Sequence, residues 1–264
     1  MRQDRPGGSM NRKDKILNTM MKKPAPSVIR KTYMGRLVLR CLIFFACVWL
    51  LIVHPEELDI LDGWNFFKRL SPLHLLWCAW VLDMLWQLIP VQQKLALGSQ
   101  KLFLFRFKPI KEAINYKALQ HYIVDTTKSA YKVFLLWAAA IVLLTLLRYW
   151  NVLSDAALFM ITVAFYVCDL ICVLVWCPFR LIMKNRCCTT CRIFNWDHLM
   201  MFTPMLFVRG FFSMSLILMS ISVWLVWELC VMMYPERFWE VSNTALRCAN
   251  CTDKLCTQYC QKLR

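Results

Sequence analysis

The sequence predicts an all-α protein, a polytopic transmembrane helical bundle of five to six spans with a small cysteine-rich module. Apolar residues make up 59% of the 264-residue chain, and they are gathered into blocks long enough to cross a bilayer. The 32 Lys and Arg outnumber the 16 Asp and Glu, and the basic excess falls beside these blocks. That arrangement indicates cytoplasmic loops and contact with anionic lipid head groups. Since no nucleic-acid-binding module is recognisable, we expect no nucleic-acid partner.

The predicted transmembrane domain covers residues 37–233. A helix from Ala156 to Cys177 would be about 33 Å long, which is enough to cross the hydrocarbon core. One apolar block, which contains Pro204, would be only about 16 Å long and is too short to cross alone. It is an interfacial or re-entrant half-helix, or a short sixth span. The predicted spans are 37–53, 73–91, 131–149, 156–177 and 211–233, with the possible half-span at 198–208.

Three regions lie outside the predicted spans: a basic N-terminal arm at 1–36, a basic loop at 92–130 and a cysteine-rich C-terminal tail at 234–264. In the loop, apolar residues recur every four positions between Ile110 and Tyr122. This period predicts an amphipathic helix, either in the membrane interface or packed under the bundle. Asp125 offers a cap for the helix that becomes the third span.

The distribution of basic residues predicts one topology. The N-terminal arm, the 92–130 loop and the 179–197 loop are expected in the cytoplasm, and loops 54–72 and 150–155 on the opposite side. The tail is then external with five spans and cytoplasmic with six. We therefore expect an integral, multi-pass protein of a plasma membrane with a cytoplasmic N-terminus.

Seven of the fourteen cysteines fall outside the spans, in two groups. Cysteines separated by two residues can bind one metal ion as thiolates. If both groups lie on the same side, they could hold zinc or an iron–sulfur cluster, and the absence of a standard ferredoxin spacing makes zinc the simpler choice. In an oxidising compartment the tail cysteines would form disulfides instead. The predicted ligands are Cys187, Cys188, Cys191, Cys248, Cys251, Cys256 and Cys260, and nearby Arg192 is expected to favour thiolate.

A second candidate site is polar and intramembrane. Asp83 and Asp169 lie well inside predicted spans, at depths that differ by about 5 Å. A carboxylate in hydrocarbon needs a partner or a water-filled cavity, so these residues either serve a function or lock two helices together. The candidate counter-charges are Arg209, Arg148 and Arg40, and Glu228 is a further acid nearer a membrane edge. The predicted polar site therefore comprises Asp83, Asp169, Arg209 and Glu228.

These observations support three hypotheses of function. The first is a cysteine-ligated metal centre at the inner membrane surface, with a structural or redox role. The second is a small proton- or cation-coupled transporter that uses Asp83 and Asp169. The third is a membrane scaffold or assembly factor that binds a protein partner. No phosphate-binding glycine loop, hydrolase elbow or zinc-protease motif is present, so the sequence identifies no catalytic residue.

Overall fold

The computed structural model describes residues 28–88, 107–110, 113–183, 191–247 and 250. Within these ranges the protein is all-α, without a strand, and the predicted transmembrane helical bundle is confirmed. Helices α1, α3, α4 and α7 are long and apolar enough to cross a membrane, whereas α2 is a shorter apolar helix. The helices are α1 (Val28–Val53), α2 (Leu73–Leu88), α3 (Tyr116–Tyr149), α4 (Asp155–Leu174), α5 (Phe179–Met183), α6 (Asp197–Phe202) and α7 (Phe211–Met233).

Helix α1 begins at Val28, before the predicted start of the first span at residue 37. Its first turns pack on α4, where Tyr33 is fully buried in a cluster with Leu170 and Leu174. Burial of this aromatic side chain stabilises helix in a stretch whose basic composition suggested an irregular arm. The last part of the predicted N-terminal arm therefore belongs to the bundle.

Helix α3 is continuous over 34 residues, so the predicted break and cap at Asp125 are wrong. The cap is Asn115, whose side chain accepts a hydrogen bond from the backbone N–H of Ala118. Thr126, beside the predicted cap, instead donates its hydroxyl to the Tyr122 carbonyl within the helix, at 2.6 Å. Ile110 precedes the helix, so the four-residue period does not describe one helical face.

One end of the bundle is formed by residues 54–72, by the α3–α4 connection and by the start of α7; we call it the loop end. The backbone of Gly63 meets the start of α7 there, with its N–H donated to the Arg209 carbonyl at 2.8 Å and its carbonyl accepting from Phe211 at 3.0 Å. Arg148 at the end of α3 forms an ion pair with Asp155 at the start of α4.

The opposite end, which we call the tail end, contains the start of α3 and residues 234–247. Tyr122 donates its hydroxyl to the Phe238 carbonyl at 3.2 Å, and Thr244 donates its backbone N–H to the Lys108 carbonyl at 2.9 Å. Helices α2 and α7 run parallel toward this end, because Trp77 contacts Ser215 before Trp227 reaches the end of α2.

Residues 192–208, which we call the discontinuous segment, pass through the bundle in three short pieces. Arg192 bonds to Thr127 of α3, and Thr203 accepts from Trp137 of α3. Ten helical residues separate those two α3 positions, so the segment rises about 15 Å between them. It then reaches the loop end at Gly210. The short apolar block predicted as a half-span therefore traverses the bundle rather than lying across its end.

Of the four long apolar helices, α4 and α7 are the best buried, and they pack with α2 and the discontinuous segment. The aromatic side chains of Trp80, Phe159, Phe202 and Phe212 form the centre of this core and are almost completely buried. Helices α1 and α3 instead leave many large apolar side chains exposed, as expected for surfaces that face lipid.

Candidate functional site

The first part of the candidate site is an ion pair between α1 and α4. Arg40 Nη1 lies 2.7 Å from Asp169 Oδ2, and the same nitrogen donates to the Tyr166 carbonyl at 2.7 Å. The guanidinium carbon also lies 4.0 Å from the centroid of the Tyr166 ring, a cation–π geometry. Arg40 was one of the three candidate counter-charges from the sequence. Both charges are well buried, and both are compensated locally.

The second part surrounds His198, which the sequence did not single out. His198 Nδ1 lies 2.8 Å from Asp197 Oδ1, and Nε2 lies 3.3 Å from Asp83 Oδ2 of α2. Nε2 also lies 3.3 Å from Nε2 of the Gln87 amide, one turn further along α2. The imidazole therefore connects the discontinuous segment to a helix more than a hundred residues earlier in the chain.

We call Arg40, Asp83, Asp169, Asp197 and His198 the polar network. The charge of Arg40 also acts on Asp83, and the charges of Asp197 and His198 act on Asp169, which places both parts in one electrostatic neighbourhood. The His198 side chain is 8% exposed, whereas that of Asp83 is 46% exposed. The network is thus closed around the histidine and opens toward the surface of the bundle at Asp83.

The other predicted polar residues lie elsewhere. Arg209 is exposed at the loop end, beside Gly63, and Arg148 pairs with Asp155. Glu228 of α7 accepts from Arg192 Nε at 3.0 Å and from the Trp196 indole at 2.8 Å. The structure therefore separates the predicted set: Asp83 and Asp169 join the polar network, and Glu228 holds the start of the discontinuous segment.

Of the seven predicted metal ligands, Cys191 alone lies within the described residues. Its side chain is buried in an apolar cluster with Ala130, Val133 and Met183. Arg192, which was expected to favour thiolate, pairs with Glu228. The part of the chain that the structure describes contains no group of three His, Cys, Asp or Glu side chains able to hold a metal ion. The six other cysteines lie outside it, so the metal centre stays a prediction.

Sequence reasoning missed His198, Asp197 and Gln87. The available signal was a His–Asp neighbour pair at the start of an apolar block interrupted by Pro204, which is unusual for a segment inside a bundle. Its connection to Asp83 is a contact between distant segments, and no local pattern reports such a contact.

Comparisons with protein-family models, with curated proteins and with solved structures find no significant match to this chain.

Proposed function

We propose that this protein is a small ion-coupled membrane transporter whose site is the polar network. The observation that carries the proposal is the Asp83–His198–Asp197 chain, which lies inside the bundle on an interrupted segment. Ionisable groups at such positions are costly in an apolar environment and typically mark ion or proton pathways. Asp83 is the acid that an ion would neutralise, and Asp169, paired with Arg40, completes the network beside it.

The form of the discontinuous segment supports transport over a purely structural role. Transporters commonly place their ion sites where a helix is broken inside the membrane. Here the break falls at Thr203 and Pro204, directly after the helix that carries His198.

The test is ion flux in proteoliposomes that contain the purified full-length chain. Proton, sodium and rubidium movements would be measured for the wild type, Asp83→Asn, Asp169→Asn and the exposed control Asp62→Asn. We expect flux in the wild type and the control, and a loss of about tenfold or more in the other two variants. Wild-type flux in all variants would show that the network does not carry ions.

We propose as a second candidate function the zinc or iron–sulfur centre at the inner membrane surface. One observation supports it: Cys191, which belongs to the first cysteine group, and residues 234–247, which precede the second group, lie at the same tail end of the bundle. Cys191 lies near Tyr122, and Tyr122 bonds to Phe238 at the start of the tail. The condition that both groups share a side of the membrane is thereby favoured, and in a reducing cytoplasm their thiols would be available as ligands.

Metal analysis and the visible spectrum of anaerobically purified protein test this candidate. We expect bound zinc, or iron with a sulfide-to-iron absorption band, and loss of the metal in Cys248→Ser/Cys251→Ser. Cys78→Ser, which alters a cysteine on the exposed face of α2, is the control. Metal-free protein would contradict the proposal.

The tail end also supports the proposed orientation in the membrane. Exposed Lys117, Lys128 and Lys132 lie along the first half of α3, where they suit anionic head groups of a cytoplasmic leaflet. We therefore propose that the protein lies in a plasma membrane with its tail end facing the cytoplasm. Flotation with vesicles that contain or lack phosphatidylserine would measure the lipid preference.

A further inference from the structure

We infer that the ion handled by the polar network is a proton, which moves between Nε2 of His198 and the carboxylate of Asp83. This inference rests on the proposed transport function and names its coupling ion. It follows from what surrounds each ring nitrogen of His198.

Nε2 of His198 has one partner for each of its protonation states. When it carries a proton it can donate to Asp83 Oδ2, and when it does not it can accept from the Gln87 amide; both lie at 3.3 Å. A histidine that only locked two helices would need one of these partners. Gln87 lies one turn after Asp83 on α2, so a small displacement of the ring exchanges one partner for the other.

The transfer step balances within the pair. The N–H bond at Nε2 of the imidazolium breaks, and an O–H bond forms on Asp83 Oδ2. A positive ring and a carboxylate become a neutral ring and a carboxylic acid, with no other reactant. Nδ1 keeps its proton throughout, because Asp197 Oδ1 accepts from it at 2.8 Å. Asp197 also accepts from the His198 backbone N–H at 2.6 Å, which fixes that carboxylate in place.

The same geometry disfavours a metal cation. Such an ion needs several oxygen ligands at once, but two of the three carboxylates of the network already pair with cationic side chains. Asp169 is engaged by Arg40, and Asp197 is engaged by His198 through two donors. Asp83 alone offers a partly exposed carboxylate, and one carboxylate is too few ligands.

The charges around the pair come from four elements. Helix α2 contributes Asp83 and the Gln87 amide, and α6 contributes Asp197. Helix α4 contributes Asp169, whose charge is offset by Arg40 of α1, and Arg36 of α1 acts on Asp83 at longer range. Transfer within the pair leaves the total charge of this neighbourhood unchanged, so it requires no additional counter-ion.

The first measurement is the protonation state of His198 in the wild-type chain. Histidine labelled with ¹⁵N in the full-length protein in nanodiscs gives signals that distinguish imidazolium from imidazole, and His198→Gln identifies the signal of His198. We expect an imidazolium at pH 7 and its conversion to a neutral ring in Asp83→Asn/Asp197→Asn. A neutral His198 in the wild type would overturn the inference.

The second measurement is flux with the ions separated, in proteoliposomes that contain a pH-sensitive dye. A proton gradient at constant sodium and potassium should drive flux in the wild type, and His198→Gln and Gln87→Leu should lower it about tenfold or more. Gln120→Leu, on the exposed surface of α3, is the matched control and should not change it. Flux that follows sodium or rubidium at constant pH would overturn the proton inference while the transport function stands. Absence of any ion flux would reject both.

Discussion

Arg40 and Asp169 illustrate how single charged residues are accommodated in this bundle. Each is well buried, and each makes its strongest contact with the other. Arg40 also stacks over the Tyr166 ring and donates from the same Nη1 to the Tyr166 carbonyl, so this nitrogen is held in one fixed geometry. The two helices are therefore joined at a defined height.

Arg40→Ala should destabilise the protein strongly, because it leaves the Asp169 carboxylate buried without a cation. We expect a loss of about 3–5 kcal/mol in the free energy of unfolding. Arg40→Met/Asp169→Leu, which removes both charges and keeps much of the volume, should recover most of it. Thermal unfolding in detergent would rank the stabilities of the wild type and the two variants. A double variant less stable than Arg40→Ala would contradict this account.

Glu228 gives a second prediction, since it accepts from both Arg192 and Trp196. Glu228→Leu should destabilise by about 3 kcal/mol, because Arg192 would then be buried without its carboxylate. Glu240→Leu, at an exposed position in the tail, should have little effect. Equal unfolding temperatures for the two variants would show that Glu228 does not hold the discontinuous segment.

The sequence showed part of the site because its members stand out from apolar surroundings. Asp83 and Asp169 were recognisable for this reason, and Arg40 was one of three possible partners. His198 was not recognisable, because a histidine in a short block resembles one at an interface until Asp83 is placed beside it. Arg209 had the same local signal as Arg40, and three-dimensional position alone separates them.

Some helices are likewise predictable from the local sequence, whereas others depend on contacts with distant segments. Helices α4 and α7 follow directly from apolar blocks of bilayer length. Helix α3 begins at Tyr116, before the predicted span at 131–149, and joins that span to part of the stretch predicted as a separate amphipathic helix. Packing of Tyr122 against Phe238 and Trp239 stabilises these first turns. The course of the discontinuous segment was left open, since its length fits a half-helix and a short crossing equally well.

At Gly210 the start of α7 approaches the 54–72 connection too closely to admit a side chain. A Cβ there would overlap the carbonyl oxygen of Leu61, which lies in a backbone-paired connection and cannot simply rotate away. Gly210→Ala should therefore cost about 1–3 kcal/mol. Gly35→Ala in α1, where a Cβ meets no other atom, should be neutral or stabilise by about 0.5–1 kcal/mol. The reverse order of unfolding temperatures would show that the Gly63–Gly210 contact is absent in solution.

At the scale of the whole molecule, the ends of the helices determine which segments share a side. Helix α7 begins beside Gly63 at the loop end and ends beside the tail, at the same end of the bundle where α1 begins. The apolar blocks were sufficient to predict the fold class, but five and six crossings place the tail on opposite sides. The contacts of Gly210 with the 54–72 connection favour six crossings, and a hydropathy pattern does not predict these contacts.

The position of the C-terminus tests this topology. A fluorescent protein fused after Arg264 should fluoresce in intact cells, and alkaline phosphatase fused there should be inactive, because both would lie in the cytoplasm. The matched control is alkaline phosphatase inserted after Asp62 in the 54–72 connection, which should be active. An active phosphatase at Arg264 would mean that the discontinuous segment does not cross the membrane.

The length of α3 has a structural consequence. At about 51 Å the helix is longer than the hydrocarbon thickness of a bilayer, so its first turns extend beyond the apolar layer, where Tyr122 packs against Phe238 and Trp239 of the tail. The same helix touches the broken segment at two heights, through Thr127 and Trp137. Because α3 contacts the tail near its start and the discontinuous segment at these two positions, it connects the tail to the segment that carries His198.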